Sequence, residues 1–84
     1  MAFAKRLAML REEKSMSRRD LAKALNISYS SISKYETNAR FPDQETLKAI
    51  ADIFQVSIDY LVGRTDVRNF YEKSKDAAND YVSE

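Results

Sequence analysis

The chain has 84 residues, a net charge of +1, and neither cysteine nor histidine. Without cysteine it has no disulfide, thiolate nucleophile or sulfur-ligated metal, and without histidine it lacks the most common zinc ligand and general base. The composition therefore argues against an enzyme, a metal site and a cofactor. One glycine and one proline favour helices over strands, and no apolar run approaches the roughly 20 residues of a membrane span. We expect one soluble, cytoplasmic, all-α domain.

The two halves of the chain carry opposite charge. Residues 1–41 hold nine basic and four acidic side chains, a net charge of +5, whereas residues 42–84 hold five basic and nine acidic ones, a net charge of −4. Such a division indicates one surface that faces a polyanion and another that faces away from it. Solvated helix faces that merely differ in charge are the alternative explanation.

Apolar residues at helical spacing predict a first helix over residues 3–14. Its buried side consists of Phe3, Leu7 and Leu10. A second helix begins after Ser17, because Ser17 and Asp20 have the spacing of a capping box. The buried face of this second helix consists of Leu21, Ala22 and Leu25.

The second helix is predicted to end at Asn26, since asparagine tolerates the left-handed backbone that terminates helices. Ser28 is placed to cap a third helix by accepting hydrogen bonds from the amides that follow it. Ile32 and Tyr35 are three residues apart and face the core. The outward face consists of Tyr29, Ser30, Ser33 and Lys34. Two helices joined by so short a turn cross steeply, so the third helix projects from the domain.

Two further helices are predicted beyond a loop in which Asn38 is another candidate for a left-handed backbone. Pro42 or Asp43 opens the fourth helix, and Ser57 caps a short fifth helix that Gly63 ends. The apolar stripe of the fourth helix consists of Leu47, Ile50, Ala51 and Phe54.

The last residues differ from the rest of the chain. We predict a domain over residues 1–65, followed by a C-terminal tail over residues 66–84 in which apolar side chains are scattered among charges. A helical or frayed tail that serves as a linker or a dimerisation segment fits this composition better than a second domain.

Several spaced groups of residues match a known pattern. They are Leu21-Ala22, Leu25-Asn26-Ile27-Ser28, Ile32-Ser33-Lys34-Tyr35-Glu36, Pro42, Leu47, Ile50-Ala51 and the run from Val56 to Gly63. Over about residues 3–63 the chain thereby resembles the Cro/C1-type (Xre) helix-turn-helix domains of phage repressors and their bacterial relatives. The resemblance implies a compact five-helix, lambda-repressor-like DNA-binding domain with the helix-turn-helix at about residues 17–37. Arg18 departs from the family, which often has glutamine there.

The resemblance implies that the helix at residues 28–37 enters the major groove of double-stranded DNA, which is about 12 Å wide. The residues expected to read bases are Tyr29, Ser30, Ser33 and Lys34. Lysine donates to guanine, serine donates or accepts, and a tyrosine ring contacts a thymine methyl or its hydroxyl bonds a phosphate. The alternative for Tyr29 is a half-exposed aromatic ring that covers the turn.

Backbone phosphates need donors on either side of the reading helix. The residues expected to bind phosphate are Arg18, Ser31, Asn38, Arg40 and Arg11. Arg18 combines a guanidinium with the positive end of a helix dipole. For Arg19 and Lys23, a phosphate contact and a solvated surface charge are equally good explanations. We interpret Glu36 as a buried or helix-capping carboxylate and not as a catalytic group.

The resemblance favours a repressor of phage or mobile-element type that binds its operator as a homodimer, on half-sites about 34 Å apart. We expect the dimer surface on the acidic half, with Phe54 and Tyr60 either contributing to it or completing the core. The alternative function is an antitoxin-type or adaptor module that binds another protein through the tail. The tail aromatics that favour this alternative are Phe70, Tyr71 and Tyr81.

Overall fold

A computed structural model describes residues 2–68 of the chain. The helices are α1 (Ala2–Glu13), α2 (Arg18–Leu25), α3 (Tyr29–Glu36), α4 (Gln44–Phe54) and α5 (Ile58–Leu61). The predicted all-α, five-helix architecture is confirmed for this range, and no helix in it is long and apolar enough to cross a bilayer. The tail aromatics Phe70, Tyr71 and Tyr81 lie outside the described residues.

One hydrophobic core holds the five helices together. Each helix contributes one fully buried aliphatic side chain to it, namely Leu7, Leu21, Ile32, Ile50 and Leu61. Phe54 and Tyr60 belong to the same core, so the interpretation that they complete it is confirmed and neither is available to a dimer surface. Burial of such side chains stabilises the fold by about 1.5–3 kcal/mol each. Because α2 and α3 each contribute one of them, packing in this core fixes the position of α3 relative to α2.

The helix starts follow the predicted caps. Ser17 Oγ accepts a hydrogen bond from the Asp20 amide at 3.0 Å, and the Ser17 amide donates to the Asp20 carboxylate at 2.9 Å. The bond from the Ser17 amide lowers the pKa of Asp20, because it stabilises the ionised carboxylate. The caps of the next three helices are Ser28, Asp43 and Ser57.

The helix ends share one geometry. Each of the five helices is followed by a residue with positive φ, in chain order Ser15 (56°), Asn26 (59°), Asn38 (68°), Gln55 (55°) and Gly63 (86°). The next residue donates its amide to a carbonyl five positions earlier, which satisfies an otherwise unpaired group at the helix end. Asn26, Asn38 and Gly63 were predicted from their residue types, and Ser15 and Gln55 were not.

The segment after α5 packs along α1. Nη1 of Arg6 donates to the carbonyl oxygens of Tyr60 at 2.5 Å and Thr65 at 2.7 Å, and the guanidinium lies 4.1 Å from the centre of the Tyr60 ring. Both Nη atoms of Arg68 donate to the Glu13 carboxylate at 2.7 Å. Contacts with α1 therefore continue to Arg68, three residues beyond the domain boundary predicted from the sequence.

We expect Arg6→Ala to lower the free energy of unfolding by about 2–3 kcal/mol, because it removes two charge-assisted hydrogen bonds and a cation–π contact. Urea denaturation followed by circular dichroism measures the change. Lys5→Ala is the matched control: Lys5 is an exposed base on the same helix, and we expect an effect below about 0.5 kcal/mol. Equal losses in the two variants would contradict an anchoring role for Arg6.

Candidate nucleic-acid interface

Helix α3 presents its predicted outward face to solvent. That face consists of Tyr29, Ser30, Ser33 and Lys34. Tyr29 is 50% exposed, Ser30 and Lys34 are exposed, and Ser33 is half-buried. Ile32 and Tyr35 are buried on the opposite side and fix the helix to the core. The predicted exposure is confirmed, whereas base reading by these four side chains stays a prediction.

The start of α3 is fixed by local hydrogen bonds. The Ser31 amide donates to Ser28 Oγ at 3.1 Å, and the two serine hydroxyls lie 3.0 Å apart. The turn before the cap is held by the Ile27 amide, which donates to the Ala22 carbonyl at 3.0 Å. Ser31 is half-buried and already paired, so its predicted phosphate contact would have to exchange or share the bond to Ser28.

The loop after α3 is held against the C-terminal end of that helix. The amides of Ala39 and Arg40 donate to the Lys34 carbonyl at 2.8 and 3.2 Å. Asn38 and Arg40 have exposed side chains, so the structure places both polar groups at the end of α3 opposite to Tyr29. Their role as phosphate ligands stays a prediction.

Glu36 lies at the centre of an ion-pair cluster that joins α1, α2 and α3. Its side chain is 1% exposed, which confirms the predicted buried carboxylate. Arg11 Nε donates to Glu36 Oε2 at 2.7 Å and Arg11 Nη2 to Oε1 at 3.0 Å. The hydrogen bond to Glu36 raises the pKa of Arg11. Arg11 Nη1 donates to the Met16 carbonyl at 2.8 Å, so all three nitrogens of this guanidinium hold the fold together, and a phosphate contact by Arg11 stays a prediction.

Arg18 joins the same cluster from the first turn of α2. Its Nε donates to Glu36 Oε1 at 3.0 Å and its Nη1 to Ser33 Oγ at 3.3 Å, while 34% of the side chain stays exposed. The sequence did not predict this contact. One signal was present: Glu36 follows the buried Ile32 by four positions and therefore lies on the inward side of α3, where a carboxylate needs a cationic partner.

Comparisons with known proteins assign the fold to a family. The profile of the helix-turn-helix family matches residues 7–61. The HTH-type transcriptional regulator ImmR of Bacillus subtilis (strain 168) is 32% identical over 84 residues, which are 100% of this chain and 65% of ImmR. The cryptic phage CTXphi transcriptional repressor RstR of Vibrio cholerae is 38% identical over 64 residues, 76% of this chain and 57% of RstR.

A solved structure shares the fold. The crystal structure of a transcriptional regulator from Listeria innocua has a TM-score of 0.74 and 27% sequence identity, and covers 98% of this chain and 77% of the Listeria chain. Because the family profile covers most of the chain and includes α2 and α3 completely, the chain belongs to the helix-turn-helix family, of the Cro/C1 type.

Proposed function

We propose that the chain is a sequence-specific DNA-binding transcriptional regulator, of the repressor kind found in phages and mobile elements. The observation that carries the proposal is that α3 keeps Tyr29, Ser30 and Lys34 in solvent while its opposite side is anchored in the core. Family membership and the similarity to RstR, a phage transcriptional repressor, support it.

The spacing of the exposed side chains suits the major groove. Tyr29 and Lys34 are five residues apart, which corresponds to about 7.5 Å along a helix, or about two base-pair steps. Lys34 donates to O6 and N7 of guanine, and Ser30 serves as donor or acceptor. Tyr29 lies at the start of α3, where its ring reaches a thymine methyl and its hydroxyl a phosphate oxygen.

Phosphate contacts on either side of α3 fix its depth in the groove. Arg18 supplies one contact from the start of α2. Asn38 and Arg40 supply the other from the loop that follows α3. The net charge of +5 on residues 1–41 supports this orientation, because it places the basic half of the chain towards the DNA.

One domain of this size contacts only a few base pairs, so we propose that two copies bind a two-fold symmetric operator with half-sites about 34 Å apart. Three apolar side chains on the acidic half pack against the core but stay partly exposed, and their exposed parts support a surface for self-association there. They are Ile53, Ile58 and Val62. Sedimentation velocity with and without operator DNA measures the oligomeric state.

Selection of bound sites from a random oligonucleotide pool tests the proposal. We expect one enriched motif with two-fold symmetry, and lower transcription from a reporter that carries this motif in its promoter. A pool without enrichment would contradict sequence-specific binding. Higher reporter transcription would contradict repression and leave DNA binding in place.

Arg18→Ala is expected to weaken binding to all duplex sequences alike and to reduce the slope of log K against log salt by roughly one. The physical reason is that each phosphate contact releases about one counterion from the DNA, so a variant that lacks one contact releases one counterion fewer. Fluorescence anisotropy at several salt concentrations measures the slope. Arg64→Ala is the matched control, since Arg64 is an exposed arginine after α5; the same decrease in both variants would show a general charge effect.

A further inference from the structure

We propose that Glu36 is a positioning residue for DNA binding, because it holds the Arg18 guanidinium at the edge of α3 in an orientation that suits a phosphate oxygen. This inference rests on the function proposed above. It assigns to a nearly inaccessible carboxylate a role that neither its exposure nor its residue type suggests.

The charges of the cluster leave Arg18 incompletely neutralised. Glu36 is shared between two guanidiniums, with Arg11 on both of its oxygens and Arg18 on Oε1. Glu12 also approaches Arg11, at 3.8 Å, but its side chain is 72% exposed, so solvent screens that pair. Among residues 2–68, Glu36 is the only acid within salt-bridge distance of Arg18. An anion that reaches Arg18 therefore completes the neutralisation of the cluster.

The hydrogen bonds of Arg18 occupy only part of its guanidinium. Nε is fixed by Glu36 and Nη1 by Ser33 Oγ, and these two partners lie one turn apart on α3. Nη2 has no hydrogen-bond partner in the described part of the chain, and about a third of the side chain is exposed. A guanidinium that is held on one edge and unpaired on another presents a planar donor to a phosphate oxygen.

Restraint of the Arg18 side chain before DNA binds has a direct consequence for the affinity of the complex. A free arginine loses rotamer freedom when it contacts DNA, whereas an arginine already held by Glu36 and Ser33 has lost that freedom on folding. Glu36 would also increase the accuracy of the contact, since it fixes the plane of the guanidinium. The opposite role, in which Glu36 withdraws Arg18 from the DNA, predicts tighter binding once the carboxylate charge is removed.

A double-mutant cycle on Glu36 and Arg18 tests the proposal. The variants are Glu36→Gln, which keeps the shape and one acceptor oxygen, Arg18→Ala, and the combination of the two. The probe is a labelled duplex that carries the site enriched by the selection described above. We expect Glu36→Gln to weaken binding by about tenfold in the wild-type chain and by less than about twofold in the Arg18→Ala chain.

Each other outcome of the cycle overturns the inference. Equal weakening with and without Arg18 indicates a purely structural role through Arg11. Tighter binding in both chains indicates only the loss of a negative charge near DNA, and tighter binding only when Arg18 is present indicates withdrawal of Arg18. If selection enriches no site, the proposed function and this inference both fail. Enrichment together with an uncoupled cycle contradicts this inference alone.

Arg18→Lys gives a second measurement that leaves Glu36 intact, in case Glu36→Gln does not fold. Lysine keeps the charge but has no planar guanidinium to bridge Glu36, Ser33 and a phosphate. We expect Arg18→Lys to weaken binding about as much as Arg18→Ala, and wild-type affinity in Arg18→Lys would contradict positioning. Glu12→Gln is the control for loss of an acid near the cluster, with an expected change of less than about twofold.

Discussion

Glu36→Ala is expected to lower the free energy of unfolding by about 3–5 kcal/mol, because removal of one partner of a buried ion pair leaves the other without compensation. Arg11 loses its buried partner: its side chain is 12% exposed, and two of its three guanidinium nitrogens donate to Glu36. For a domain of this size such a loss is a large part of its total stability. Urea denaturation of the wild type and the variant measures the difference.

Glu12→Ala is the matched control for this prediction. Glu12 is an acid at 3.8 Å from the same Arg11 guanidinium, but it is exposed, so we expect a loss below about 0.5 kcal/mol. Similar losses in the two variants would show that burial does not determine the strength of the Glu36 pair. A Glu36→Ala chain as stable as the wild type would mean that Arg11 reaches solvent without cost.

The ends of the helices could be predicted because their causes are local. Asn26 and Gly63 were identified from residue type alone, and serine caps follow from the spacing of a hydroxyl and the amides after it. The first helix was predicted to end before Ser15, but the left-handed backbone of Ser15 and Gln55 was not predicted, although a repeated pattern marks both positions. Three turns have the order left-handed residue, apolar residue, capping serine. They are Ser15-Met16-Ser17, Asn26-Ile27-Ser28 and Gln55-Val56-Ser57.

The outward face of α3 was predicted for a similar reason. Helical periodicity assigns Ile32 and Tyr35 to the core and thereby places Lys34 outward, and the structure agrees. The same periodicity places Glu36 inward. It does not identify the cations that neutralise Glu36, because Arg18 and Arg11 are separated from it by 18 and 25 residues and meet it only when three helices pack.

The C-terminal contact was missed for the same physical reason. Arg6 and Thr65 are 59 residues apart, and Glu13 and Arg68 are 55 residues apart. Local patterns give each of these charged residues the appearance of a solvated surface group. Only the packing of α5 on α1 brings them together, so a domain boundary drawn from composition falls before the last contacts.

Lys34→Ala is expected to lower discrimination between base pairs at one position of the operator by about 1–3 kcal/mol. Lys34 is exposed on α3. The ammonium of a lysine that reads bases donates to O6 and N7 of guanine, and the other bases do not present this pair of acceptors. Competition binding against a set of duplexes, each with one base pair changed, measures the discrimination. We expect the affinities to converge at one position and to keep their order at the others.

Lys48→Ala separates base reading from charge. Lys48 is exposed on α4, outside the helix-turn-helix, so its removal takes away one positive charge without a base contact. We expect this control to change affinities only slightly and uniformly across the set. An unchanged order at every position in Lys34→Ala would contradict base reading by Lys34 and reduce its role to a phosphate contact. Because a phosphate contact lowers the salt slope, titration of Lys34→Ala at several salt concentrations distinguishes the two roles in the same experiment.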